Sequence, residues 1–257
     1  MTLQPGCPLV VAPSFHLPID WARRLQLAPG IERVGDGFSP RLDWRAPDER
    51  EQGLLAPTGQ ASGGCLCLFQ IPRHLFSAWW RLLEQAREAA PGRLEGFDRF
   101  VADVAGFLTF KDLPVPEGAA FDLLVSKPGL RSIRRNGAAS GLTFNLAAET
   151  PYPLEDETGR PRLWGGLNLG DEATSLLFVN LLATDLLAEV RRRQSDLFSP
   201  CTHGELAERF LTLCADYPPV RLRIEPGEGF RLPKGGLLVD GCTLDKSAPD
   251  VLLLIRC

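Results

Sequence analysis

Three histidines, seven cysteines and a few polar residues set inside apolar runs are the places where this 257-residue chain could do chemistry. Cys65-Leu-Cys67 and Cys201-Thr-His203 together offer four sulfur and nitrogen donors, enough for a tetrahedral zinc site. The competing reading is structural. Cys65 and Cys67 lie two apart in an apolar run, on one face of a strand, where a thiol serves as a small hydrophobe. A cysteine nucleophile paired with His203 or His74 has no supporting local signature. His74 falls beside Arg73 at a helix start, a first-turn position. Thr202 reads as an N-cap with Glu205 at the third helical place, a capping box that gives Glu205 a structural task. The sequence contains no phosphate-binding glycine motif and no G-x-S-x-G nucleophile elbow, which argues against nucleotide-loop and serine-hydrolase chemistry.

Two stretches are expensive for a purely structural role. Leu130-Arg-Ser-Ile-Arg-Arg-Asn-Gly137 places basic side chains in an expected strand and its turn. Thr143-Phe-Asn-Leu146 and Leu163-Trp-Gly-Gly-Leu-Asn-Leu169 alternate asparagine with apolar neighbours. Asparagine is poor in strands, and an amide turned inward without a partner costs ~1–3 kcal/mol. A ligand or a buried water would satisfy it. Arginine adds a planar fork for carboxylate or phosphate. These arguments nominate Arg131, Arg134, Asn145 and Asn168 as ligand-binding residues. Tyr152–Arg162, with Glu155, Asp156 and Glu157, reads as a solvated acidic hairpin tip.

The elements that must position these residues follow from periodicity. Residues 1–60 are proline-rich with short apolar runs, an irregular arm holding Phe15, Trp21, Phe38 and Trp44 against something else. Residues 61–257 form one domain. Cys65–Ile71 is a strand closed by Pro72, which suits the opening of a helix. That helix carries Leu75, Ala78, Trp79, Leu82, Leu83 and Ala86 at 3.6-residue spacing, and a second carries Phe97, Phe100, Val101 and Val104. Strands are expected at 121–126, 130–134, 141–147, 163–169 and 175–182, helices at 184–195 and 204–216, and closing strands at 220–224, 230–232, 237–239 and 251–255. The helical segments therefore sit near 73–110 and 184–216. Strands and helices do not alternate one for one, so a doubly wound parallel sheet is disfavoured. Short strands with many turns favour an α+β protein whose two antiparallel sheets pack as a jelly roll, helices bracing one sheet.

Composition sets the outer limits. A net charge of −4 gives no general attraction to nucleic acid. No apolar run reaches the ~18 residues of a membrane span, and the N-terminus lacks the basic and apolar regions of a secretory signal. An odd number of cysteines spread through a large chain suits free thiols in a reducing compartment, so the cytoplasm is the expected location. Arg191–Arg193 read as the solvated end of a helix, where cations suit the macrodipole.

The run Arg223-Ile-Glu-Pro-Gly-Glu-Gly-Phe-Arg-Leu-Pro-Lys-Gly-Gly-Leu-Leu-Val-Asp-Gly-Cys-Thr243, followed by Asp250-Val-Leu-Leu-Leu-Ile-Arg256, is similar to the closing strands of the cupin and 2-oxoglutarate-dependent oxygenase superfamily. The resemblance spans about residues 120–257. It implies a double-stranded β-helix. Asp240 falls where that family carries its distal histidine, and Arg256 or Lys246 where it carries the basic residue that grips 2-oxoglutarate. The family's iron is held by His-x-Asp/Glu and a later histidine. Here His203-Gly-Glu205 matches the first half by spelling, but no histidine follows, and neither His16 nor His74 has a carboxylate two places on. Iron and 2-oxoglutarate are thus suggested by the resemblance without the standard triad, and no metal ligand is nominated.

The sequence reading is a jelly-roll protein that takes a small anionic molecule through Arg131, Arg134, Asn145, Asn168, Asp240, Lys246 and Arg256, a diverged oxygenase-like enzyme if it is catalytic. The alternative is a non-catalytic interaction module using the proline-rich arm and the adjacent Trp79 and Trp80, one of which must leave the buried stripe. That surface leaves room for a homodimer.

Overall fold

The computed structural model describes residues 1–257 except 18, 36, 57–63, 89–94, 132–144, 148–153, 156–162, 195–200, 234, 235 and 257. The fold is mixed α+β, with two large sheets. The first half supplies β1 (Leu9–Val11), α1 (Trp21–Arg24), β2 (Leu25–Leu27), β3 (Ile31–Val34), β4 (Gly37–Pro40), α2 (Glu49–Leu55), β5 (Leu66–Gln70), α3 (Arg73–Glu88), α4 (Phe97–Phe110) and β6 (Ala120–Ser126). The second half supplies β7 (Asn145–Ala147), β8 (Leu154–Glu155), β9 (Leu163–Asn168), β10 (Thr174–Leu182), α5 (Ala183–Arg193), β11 (Cys201–Thr202), α6 (His203–Leu213), β12 (Val220–Ile224), β13 (Glu228–Arg231), β14 (Leu237–Cys242) and β15 (Asp250–Arg256).

The first sheet has the order β1-β5-β13-β9-β15-β6, and the second β2-β12-β10-β14-β7. Within these two sheets every pairing is antiparallel except β1 with β5; the short β8 and β11 pair in parallel beside them. From β6 onward the chain passes repeatedly between the sheets. Strands β6, β9, β13 and β15 belong to the first; β7, β10, β12 and β14 belong to the second. Strand alternation fixes what each face buries. On β5, Leu66 and Leu68 turn toward the second sheet and share a core with Phe178, Leu222, Val239 and Phe230. Cys67 and Phe69 turn the other way, into a second core with Trp79, Phe100, Val104 and Leu108 of α3 and α4. α5 and α6 pack into the first core through Leu186, Val190, Leu206 and Phe210.

Glycines let the aromatic rings lie close to the first sheet. The ring of Phe230 lies over Gly166 on the inner side, where an added Cβ would meet it at 2.9 Å; the ring of Phe69 occupies the corresponding space over Gly229 on the outer side. A strand glycine that weakens its own ladder here gains a ring packed flat against it.

The helices anticipated from apolar spacing form at 73–88 and 97–110, and Trp79 is fully buried with its indole Nε1 donating to the carbonyl of Leu169 at 2.9 Å. Trp80 is the one that leaves the buried stripe; it is half-buried and packs edge-on against Phe76. The arm is more ordered than its composition suggests. β1 extends the first sheet, β2 extends the second, and Phe38 and Leu55 enter the core. Proline hid this because edge strands tolerate it. Leu130 lies in a turn rather than a strand, and 132–144 fall outside the described residues.

α2 is fixed by a capping box. Asp48 accepts from the Glu51 amide at 2.8 Å, and the Glu51 carboxylate accepts from the Asp48 amide at 3.0 Å and from both Arg45 guanidinium nitrogens at 2.6 Å. The Arg45 hydrogen bonds hold the Glu51 carboxyl below its ordinary value. A depressed folded-state pKa stabilises the fold above the unfolded-chain value near 4.5 and is lost as pH falls through the folded value. Glu51→Gln is expected to lower stability at pH 7 by about 1 kcal/mol, with a difference from the parent that shrinks as pH falls below 4.5. Urea unfolding at pH 7 and pH 3, followed by tryptophan fluorescence, measures both.

Candidate functional site

The residues nominated from sequence separate into three places. The first is the end of the molecule where β9 crosses to β10, β12 to β13 and β14 to β15. Asn168 sits there, fully buried. Its amide nitrogen donates to the carbonyls of Glu172 and Ile224, each at 3.0 Å, and its Oδ1 accepts from the Gly170 amide at 2.9 Å. Lys246 Nζ pairs with Asp250 Oδ1 at 2.8 Å and donates to the Glu172 carbonyl at 3.0 Å; Asp250 Oδ2 accepts from Thr174 Oγ1 at 3.1 Å. The Glu172 carboxylate bonds Ser247 through its hydroxyl and amide, and the Ala248 amide. Asn168 and Lys246, expected to hold a ligand, instead hold main chain and a buried carboxylate. The sequence argument was right that the Asn168 amide needs partners; two crossing turns supply them.

The second place is the outer face of the second sheet. Register sets Leu177 between Asp240 of β14 and Arg221 of β12, so Asp240 shares the arm-covered face. Arg221 donates to Ser175 Oγ at 3.0 Å, pairs with Asp245 at 2.5 Å, and lies 5.7 Å from the Trp44 ring centroid, a cation–π stack that fastens the arm. Arg131 stands at the rim of a shallow cleft lined also by Ser39, Trp44 and Cys242, with Glu32 at 3.5 Å. Asp240 is buried on this face, its Oδ1 accepting from the Gly241 amide at 2.7 Å. The expected convergence of Asp240 and Arg131 with the inner-face residues therefore fails, because β14 turns Asp240 away from the first sheet.

The third place is the inner face of the first sheet at its β15–β6 side. Leu252, Leu254 and Arg256 alternate onto the face that carries Phe230. Leu252 and Leu254 are buried. Arg256 Nε lies 2.9 Å from Asp122 Oδ2 of β6; the arginine side chain is 14% exposed and the aspartate 51%. Asn145 is set by register opposite Val239, on the side of β14 away from Asp240. Its side chain and all of Arg134 lie outside the described residues.

Sequence reasoning missed Glu228. It is 3% exposed, bonded by both Arg24 guanidinium nitrogens at 2.5 and 3.1 Å, and accepts from the Glu225 amide at 2.9 Å. It lies in the quoted Pro-Gly-Glu turn, and a carboxylate that follows a tight turn into an apolar strand was the available signal. The iron donor set of the oxygenase family does not fit this arrangement. His16 and His74 are exposed in the arm and on α3, His203 opens α6, and Asp240 points outward. Among the described residues no three histidine, cysteine, aspartate or glutamate side chains gather into a metal site.

Comparison with protein-family models, with curated proteins and with solved structures finds no match. Function therefore rests on the chemistry of the three places above.

The Lys246–Asp250 pair is deeply buried, with side chains 3% and 1% exposed. Removing one partner strands the other charge, at a cost of roughly 3–5 kcal/mol. Lys246→Met is expected to lose that much stability, and Lys246→Met with Asp250→Leu to recover part of it. Denaturant midpoints of the single and double variants test the coupling.

Proposed function

We propose that the chain is a double-stranded β-helix protein that binds a small carboxylate-bearing molecule between its sheets, with Arg256 as the anion-binding group. The architecture is supported by the strand orders. β6-β15-β9-β13 in one sheet and β7-β14-β10-β12 in the other are what eight strands produce when they alternate between two facing sheets. β5 and the arm's β1 extend one flank and the arm's β2 the other, and α3 and α4 brace the first sheet.

The ligand reading is carried by one observation. Arg256 places a mostly buried guanidinium on the inner face beside apolar Leu252 and Leu254, and its carboxylate partner Asp122 is half exposed. An arginine fork accepts a carboxylate in two parallel hydrogen bonds. A ligand carboxylate can share or take over the position that Asp122 occupies at the mouth, while its carbon skeleton covers the leucines. The oxygenase-like step suggested by the sequence has no donor set here, so the reading is of binding. The alternative interaction surface keeps Trp80, which is half-buried on α3, while Trp79 belongs to the core.

A thermal-shift series tests the reading, using 2-oxoglutarate, succinate and inorganic phosphate against an uncharged control. At one hundred times the dissociation constant a ligand adds about 2.7 kcal/mol to stability, so a dicarboxylate is expected to raise Tm and to lose that effect in Arg256→Gln. A flat response across the panel, or an equal shift in the variant, overturns it.

A further inference from the structure

On the other face of the first sheet, away from Arg256, two thiols and a guanidinium form a cluster of their own. Cys67 of β5 lies directly opposite Arg231 of β13. Cys65 precedes the same strand, two residues away on the same side, and the two Sγ atoms are 3.4 Å apart. Arg231 Nη2 donates to Cys67 Sγ at 3.2 Å. Its Nε is buried with no hydrogen-bond partner, and among the described residues no carboxylate pairs with it. A guanidinium in apolar surroundings requires a countercharge, and here the group that reaches it is sulfur.

The thiols respond accordingly. A hydrogen bond from Cys67 and the charge of Arg231 bring Cys65 down to about 6, against the opposing effect of burial, while the same bond and burial push Cys67 up. Geometry sets the two sulfurs beside each other and one of them against Arg231. The structure's other described thiols behave oppositely. Burial raises Cys7 to about 12 and Cys214 to about 11, and raises Cys242 as well.

Strand geometry decides what such a pair can do. Residues two apart on one strand face are separated by roughly 6.6 Å at Cα, close to the upper limit of about 6.8 Å for a disulfide. Closing Cys65 to Cys67 would demand the extreme of disulfide geometry. A two-coordinate metal ion asks for the opposite change. Metal–sulfur bonds of about 2.3 Å in a line set the sulfurs roughly 4.6 Å apart, a widening that side-chain rotation provides without moving the strand.

We propose that Cys65 and Cys67 form a linear two-thiolate site for a soft monovalent cation, copper(I), with Arg231 as its built-in counterion. Thiolates favour copper(I) among the soft ions. Two thiolates, one monovalent ion and one guanidinium sum to zero charge. A divalent ion would leave the site with excess positive charge and two of its four ligands missing. Loading replaces thiol protons: two S–Cu bonds form, the S–H bonds of the pair break, their protons leave to solvent, and no electron is transferred.

The test is an anaerobic titration of the reduced, full-length protein with copper(I) in competition with bicinchoninate. One tightly held ion per chain is expected, with no displacement by zinc(II). Cys65→Ser and Cys67→Ser should each abolish that ion, and Arg231→Gln should weaken it by about 10- to 100-fold. Binding that survives either serine substitution, indifference to Arg231→Gln, or displacement by zinc(II) overturns the proposal. Should a serine variant fail to fold, alkylation footprinting of the parent protein by mass spectrometry decides. Copper(I) must protect Cys65 and Cys67 together, and unchanged alkylation of either rules the site out.

Discussion

Between the two sheets the chain makes three crossings at one end of the molecule, and the Asn168 amide is the group that ties them. Its two donors reach the turn after β9 and the end of β12, its acceptor fixes Gly170, and the carbonyl it shares at Glu172 also receives Lys246 from the turn before β15. Backbone groups in such turns must be paired when buried. One amide and one ion pair do this for three turns at once, so the spacing of the sheets is set by polar geometry as much as by the leucines between them. The Arg24–Glu228 pair repeats the device at the neighbouring edge, joining the end of α1 to the start of β13.

On the inner face of the first sheet Leu252 and Leu254 of β15 are buried, while Asp122 of β6 is half exposed. Arg256 and Asp122 occupy the more exposed part of that face. The outer face of the second sheet is closed by the arm, and Arg221 serves as the fastening point under Trp44. Charged groups here fall into two kinds: those whose donors are filled by the chain, such as Lys246 and Arg221, and those with capacity left, such as Arg231, whose Nε has no partner.

Much of the fold was legible in the sequence because strand and helix periods differ. The 3.6-residue stripe of α3 and α4 and the alternating runs of β9, β10 and β15 announced themselves, with boundaries within a few residues. The arm's strands were hidden because three- and four-residue segments carry too little periodicity. The site was read less well. Sequence identifies Asn168 and Lys246 as polar groups in apolar runs, but cannot say whether a ligand or a crossing turn completes them. Asp240 was misplaced for a related reason: a single-residue register choice decides which face a strand residue occupies, and the register of β14 is set by β10, sixty residues earlier.

The arm has a consequence for how the molecule is made. β2 pairs with β12, and the N-terminal ammonium of Met1 lies 2.9 Å from Asp216. β1 docks on β5, which in turn pairs with β13. Segments that leave the ribosome first therefore wait for partners near the end of the chain. Contacts of such sequence separation slow folding and leave apolar edges uncovered meanwhile. During synthesis β2 stays without its strand partner until β12 has been made, and a stop codon before β12 releases a chain in which that edge is never covered.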